Sequence, residues 1–118
     1  MRVYLASTKK HHGNQVNMDD CIFCKIVDGT IPANKVFEDN DVIAFLDINP
    51  VAPIHVLLIP KIHIASLGGV DKSHQDLLGK MMLLVPQIAK EQGCTDGFRI
   101  IVNTGHIGGQ EVFHLHIH

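Results

Sequence analysis

The spacing of apolar positions changes several times along the chain, and each change marks an element. Residues 1 to 20 show no sustained apolar period and are expected to form a peripheral N-terminal extension, with Met18 ahead of Asp19-Asp20 as a candidate natural start. From Cys21 onward, Ile22, Phe23, Ile26 and Val27 suit one face of a short helix that Asp28-Gly29 ends. Two strand-like runs, Lys35-Val-Phe-Glu and Val42-Ile-Ala-Phe-Leu, flank the turn-rich Asp39-Asn-Asp and predict a hairpin. Pro50 and Pro53 each restrain the residue before them, so residues 47–53 read as an ordered loop. His55-Val-Leu-Leu-Ile-Pro is nearly continuous in apolar residues, the pattern of a central strand covered on both faces.

Further on, Leu77, Leu78, Met81, Leu84, Val85 and Ile88 recur at three- and four-residue spacings, which predicts an amphipathic helix from Ser73 to about Gln92, closed by Gly93. Pro86 falls inside that pattern and is expected to kink or fray the helix. Phe98-Arg-Ile-Ile-Val and Val112-Phe-His-Leu-His-Ile-His read as two more strands joined by a Gly-rich loop. The order predicts an α+β domain over residues 21–118, with a largely antiparallel five-stranded sheet, one short helix and one long one.

Composition narrows the function. A chain of 118 residues, 46% hydrophobic, holds one core and is too short for two ordinary domains. A net charge of −2 leaves no basic footprint for a nucleic-acid polymer. No apolar run approaches the roughly 20 residues of a membrane helix, and the opening residues lack a signal-peptide core. A soluble cytoplasmic protein is the expectation. Three cysteines, two of them spaced as Cys21-x-x-Cys24, suit metal binding in a reducing compartment better than a disulfide framework.

Nine histidines stand against one Tyr and no Trp. Successive strand side chains point to opposite faces, so His114, His116 and His118 share one face while Phe113, Leu115 and Ile117 take the other. Three imidazoles about 6.6 Å apart along a strand can supply acid, base and nucleophile near neutral pH. A solvated strand that carries histidines by chance, or a row of metal ligands, fits the same spacing. In the preceding loop, Gly108 and Gly109 leave room for backbone N–H groups to approach phosphate oxygens, although any tight turn explains two glycines equally well.

With Gly-Gly-Gln-Glu-Val-Phe leading into His-Leu-His-Ile-His, the sequence resembles the histidine triad family, and its Hint branch most closely. The likeness runs from Cys21 to His118 through Ile22-Phe-Cys-Lys-Ile, Ile31-Pro, Phe45-Leu-Asp-Ile, Ala52-Pro-Ile-His-Val-Leu-Leu-Ile-Pro-Lys and Asn103. The resemblance implies a homodimer whose two sheets join, and hydrolysis of purine nucleoside phosphoramidates or acyl-adenylates to a nucleoside monophosphate through a nucleotidyl-histidine. By position, His116 would be the nucleophile, supported by His114, His118 and His55. Asn103, Gly109, Gln110 and the backbone of Glu111 would hold the phosphate or the nucleophile. Asp47 would bind the ribose, and Ile22, Phe23, Ile26, Ile31, Phe45, Leu46, Ile48 and Leu57 would sandwich the base; ordinary core packing explains those apolar positions as readily.

Glu111 stands where relatives often carry Ser, and an ionised carboxylate cannot donate the hydrogen bond a hydroxyl would. The family normally continues several residues past the position of His118. Chemistry of this kind requires no metal cofactor. Some relatives with the Cys pair bind a structural zinc through residues that map to Cys21, Cys24, His63 and His114; reduced, partly buried thiols are the plainer reading. Two other functions share the pattern: a zinc-dependent hydrolase using the histidine row as ligands, and a non-catalytic nucleotide-sensing module.

Overall fold

The computed structural model describes residues 20–118. The expected leader, Asp20 apart, lies outside the described residues. Five elements carry the fold: α1 (Ile22–Val27), β1 (Lys35–Glu38), β2 (Val42–Leu46), β3 (Val56–Pro60) and α2 (Gln75–Glu91), with single 3-10 turns at Leu67–Gly69 and Lys72–His74. The strands form an antiparallel sheet in the order β1-β2-β3, with Phe45 opposite Leu57 and Ile43 opposite Ile59. The predicted hairpin turn is held by Asp39, whose Oδ1 accepts from the amides of Asp41 at 2.8 Å and Val42 at 3.0 Å.

Alternation along the strands builds a three-layer domain. Ile43, Phe45, Leu57 and Ile59 pack against Phe23 and Ile26 of α1 on one face of the sheet. Val42, Ala44 and Leu58 pack against Met81 and Ile88 of α2 on the other. The predicted stripe Leu77, Leu78, Leu84 and Val85 borders that second core. Pro86 does not end the helix, which runs on to Glu91. The carbonyl that loses its partner to Pro86 belongs to Met82, which is 49% exposed, so water can satisfy it. Gly93 follows with φ +89, a left-handed turn that glycine adopts without strain.

The last two predicted strands are corrected. Residues 98–102 and 112–118 do not form continuous ladders; the regular sheet has three strands, joined to the C-terminal segment by an isolated antiparallel bridge between Leu58 and Ile117. Leu58 and Ile117 exchange amide bonds of 3.0 Å each, and Ile101 and His118 exchange bonds of 3.0 and 2.8 Å. Proline explains why the ladder stops. In this register the next hydrogen-bonded pair would be Pro60 with Leu115, and Pro60 has no N–H to give. The Leu115 amide turns instead to the Ile64 carbonyl, 2.7 Å away. Pro60's own carbonyl is thereby left for a side chain.

Candidate active site

The C-terminal segment runs alongside β3, bridged to it at Leu58 and Ile117, and Leu115 and Ile117 anchor it as buried apolar residues. His114 and His116 are buried as well, at 0% and 6% exposure, while His118 is partly exposed. The three imidazoles have different surroundings. His114 uses Nε2–H to donate to the Pro60 carbonyl at 2.8 Å, which turns its Nδ1 lone pair toward Cys21 Sγ at 3.3 Å, Cys24 Sγ at 3.5 Å and His63 Nδ1 at 3.3 Å. Burial, reinforced by the His63 and His116 charges, pushes its pKa down to about 4 against the pull of the Pro60 bond.

His116 lies between Phe23, 5.2 Å away ring to ring and nearly perpendicular, and His118, 4.7 Å away. Its Nδ1 is 2.8 Å from the carbonyl oxygen of His114. A carbonyl only accepts, so Nδ1 carries the proton and Nε2 carries the lone pair. His118 Nδ1 is 2.9 Å from His55 Nε2, and Asp47 Oδ2 is 3.5 Å from that same His55 nitrogen. Burial first, then the neighbouring His116 and His55, hold His118 below the usual histidine pKa, opposed by the carboxylates of Asp47 and Glu111.

A cleft of about 530 Å³ opens over His116 and His118. Ile22, Phe23, Ile26 and Ile31 line it from α1 and the turn beyond, and Phe45, Leu46, Ile48 and Leu57 line it from the sheet and the following loop. Phe23, Ile26, Phe45 and Leu57 also belong to the buried core, so packing and cleft wall are one feature here. Asp47, His55, Asn103, Gly109 and Glu111 complete the polar lining. Pro32, Ala33, Asn49, Val51, Ile101 and Val112 line the cleft too and were missed in the sequence. Pro32 and Ala33 follow directly on Ile31, which is the signal that could have found them.

Two side chains expected at the site stand apart from the cleft. His114 does not line the cleft: its ring serves the cysteine cluster, and its contribution to the site is the backbone carbonyl under His116. Gln110 is 3% exposed and likewise outside the lining; its Nε2 donates to the carbonyls of Ala65 and Val112 at 2.8 and 2.9 Å, and its Oε1 accepts the Gly105 amide at 2.8 Å. With every side-chain atom committed, Gln110 holds the loop rather than a ligand.

The glycines have a related explanation. The Gly108 amide donates to Gly105 and the Gly109 amide to His106, so the turn consumes the N–H groups expected to meet phosphate. A Cβ on Gly108 would fall 2.3 Å from the Thr104 carbonyl oxygen, which makes glycine obligatory for closing the turn. Among the described residues, the amide of Glu111 finds no protein partner, leaving it as a backbone donor at the cleft.

Beneath the cleft, one donor atom each from Cys21, Cys24, His63 and His114 lie within 4.8 Å of one another. Cys21 caps α1, where its Sγ accepts the Cys24 amide at 3.2 Å. Burial and then the Cys21 thiol push the Cys24 thiol up to about 12. Two thiols and two imidazoles in this space match the donor chemistry of tetrahedral zinc, and His114 already presents a lone pair.

A family model of the HIT domain matches residues 28–118. Protein HitA of Neisseria gonorrhoeae is 62% identical over 101 residues, covering 86% of this chain and 94% of the relative. A purine nucleoside phosphoramidase of Escherichia coli is 44% identical, with 85% of each chain covered, and a 14 kDa zinc-binding protein of Brassica juncea is 43% identical, covering 84% and 89%. Among solved structures, a histidine triad protein from Clostridium difficile superposes with a TM-score of 0.80 at 49% identity, over 87% of this chain and 90% of that one.

Proposed function

This chain belongs to the HIT domain family, and from that premise we propose that it is a nucleotide-binding hydrolase that cleaves purine nucleoside phosphoramidates or acyl-adenylates through a nucleotidyl-histidine intermediate. The observation that carries the reading is the 2.8 Å contact from His116 Nδ1 to the His114 carbonyl, which leaves Nε2 as a lone pair facing the cleft. In the first step Nε2 forms a bond to phosphorus and the bond to the leaving group breaks. An amine departs with a proton from a neighbouring imidazole, which the water of the second step returns; an acid departs as its carboxylate. Water then displaces the histidine, releasing the nucleoside monophosphate. Splitting the displacement in two lowers each barrier.

Around that step the side chains divide the work. The apolar wall takes the purine by stacking, and Asp47 takes the ribose hydroxyls. The Glu111 amide, Asn103 and His118 face the phosphoryl oxygens, where fixed donors are worth about 10²-fold or more each. A zinc ion, if bound by Cys21, Cys24, His63 and His114, would tie α1 to the segment after β3 and to the histidine strand, with a structural role only. The reading in which the whole row binds a catalytic metal is not favoured, because His114 faces the cysteines while His118 faces His55, so the row does not converge on one ion.

The homodimer is part of this reading. Residues 98–102 form an outer edge with Phe98 53% and Ile101 38% exposed, an apolar border that a second copy would cover. Gel filtration at the size of two chains supports it, and a single-chain mass refutes it. The cytoplasmic assignment rests on free cysteines, and no helix among the described residues is long and apolar enough to cross a membrane.

The test of the reading is turnover of an adenosine phosphoramidate by the wild type, by His116→Ala and by wild type after chelation. Turnover lost in the variant and retained after chelation supports it. Tight nucleotide binding without turnover in the wild type supports the sensing module instead.

A further inference from the structure

Of the three imidazoles that line the cleft, His116 and His118 are not interchangeable, and the difference traces to two backbone groups. The carbonyl of His114 makes His116 a proton holder at Nδ1 and an electron-pair donor at Nε2. On the other side, the backbone amide of Val51 donates to His55 Nδ1 at 3.2 Å. An amide nitrogen cannot accept, so His55 Nδ1 must carry the lone pair and its proton must sit on Nε2. That Nε2–H has two acceptors: His118 Nδ1 at 2.9 Å and, more distantly, Asp47 Oδ2 at 3.5 Å. His118 Nδ1 therefore accepts, and the neutral ring keeps its proton on Nε2.

We propose that the Val51 amide is the positioning group that fixes the polarity of the His55–His118 pair, so that His118 presents an N–H donor to the phosphoryl oxygens beside the His116 lone pair. The inference rests on the hydrolase reading for its chemical purpose, and on geometry alone for the tautomers. Opposite backbone groups, one acceptor and one donor, set opposite polarities on two rings 4.7 Å apart. Without the Val51 amide, only the longer contact to Asp47 would favour a proton on Nε2, and His55 would populate the Nδ1–H form as well. His118 would then be free to turn an acceptor toward the phosphate, where a second lone pair repels the developing charge.

Val51 suits this task because its side chain is 84% exposed and contributes nothing to the core. The loop that carries it is braced by Pro50 and Pro53 and by the Asp47 carboxylate, which accepts the Asn49 amide at 2.9 Å. In this tautomer the His55 nitrogen nearest Asp47 carries a proton, so the Asp47, His55 and His118 grouping is arranged for hydrogen bonding rather than for a metal.

Nitrogen-15 NMR of the histidine rings in the wild-type protein reads the tautomers directly. Protons on Nε2 of both His55 and His118 are expected, and a proton on His55 Nδ1 overturns the proposal. A second measurement replaces the Val51 amide by an ester, using the α-hydroxy analogue of valine, which removes the N–H and keeps the side chain. We expect His55 to become a mixture of tautomers and kcat for an adenosine phosphoramidate to fall about tenfold with KM retained, a partial form of the donor loss. The same replacement at Ala52 leaves both unchanged. An ester at Val51 that alters neither tautomer nor kcat contradicts the proposal. Because the NMR result does not depend on turnover, failure of the hydrolase reading would show separately, as a wild type with the expected tautomers and no activity.

Discussion

His116 and His114 are joined by a hydrogen bond of 2.8 Å from the ring Nδ1–H of the first to the backbone carbonyl of the second. The two residues are alternate members of one extended segment, so the segment that presents the proposed nucleophile also sets which of its nitrogens holds the proton. The backbone groups of Leu115 and Ile117 turn toward β3, so the His114 carbonyl lies on the opposite edge, outside the β3 ladder, while the His114 ring uses the Pro60 carbonyl that the break in that ladder releases.

Gln110 is predicted to matter for stability before it matters for chemistry. Gln110→Ala would strand the Gly105 amide and the Ala65 and Val112 carbonyls in a buried place, costing about 2 to 4 kcal/mol. Urea denaturation checks this, with a change in midpoint and little change in slope. A variant as stable as wild type would return Gln110 to ligand binding.

Acid should destabilise the metal-free protein in a defined window. His114 is held down to about 4 from an ordinary value near 6.5, with His63 and His118 also lowered, so the unfolded chain binds more protons between those pH values. The histidine contribution is complete above about pH 6.5, falls as the pH drops and levels off near 4, with His114 alone contributing on the order of 3 kcal/mol. Denaturation midpoints measured after chelation from pH 7.5 to 4 test the sign; stability rising on acidification contradicts it.

Cys24→Ser should halve the thiolate donors of the Cys21, Cys24, His63 and His114 cluster. The purified wild type is expected to carry about one zinc per chain, and the variant markedly less, with a lower Tm. Metal analysis alongside thermal unfolding decides it. Equal metal content in the two proteins would place any zinc elsewhere.

Glu111 should select among leaving groups. Among the described residues that line the cleft, Asp47 and Glu111 are the carboxylates and none is Lys or Arg. A leaving amine that bears a second, cationic amino group is expected to be favoured over an uncharged alkylamine by about fivefold in kcat/KM, as for an exposed ion pair, and Glu111→Gln should erase the preference. Equal ratios in wild type and variant would show that the carboxylate points away from the departing group.

The sequence made much of this legible because alternation and helical period are strong signals where a sheet is covered on both faces. β2 and β3 were readable from runs such as Val42-Ile-Ala-Phe-Leu, and the α2 stripe from Leu77 through Ile88. The last two strands were overread: residues 112–118 alternate well, but alternation says nothing about whether the partner can donate, and Pro60 cannot. Alternation alone did not reveal that one of the three rings serves the cysteine cluster, since that depends on Cys21, Cys24 and His63 arriving from distant parts of the chain; only the family resemblance pointed to His114 beside them. Gln110 looked like a ligand because its buried partners, Ala65 and Val112, offer backbone atoms that no side-chain pattern marks. Val51 was invisible for the same reason, its contribution being an amide.

The account turns on which histidine nitrogen attacks phosphorus. Rapid quenching of the protein with an adenosine phosphoramidate in alkaline denaturant, which preserves the acid-labile P–N bond, followed by peptide mapping and phosphorus–nitrogen NMR of the trapped adduct, identifies both residue and atom. The adduct is predicted on His116 through Nε2, the nitrogen left free by the bond to the His114 carbonyl. Attachment through Nδ1, or to any other histidine, would contradict the assignment.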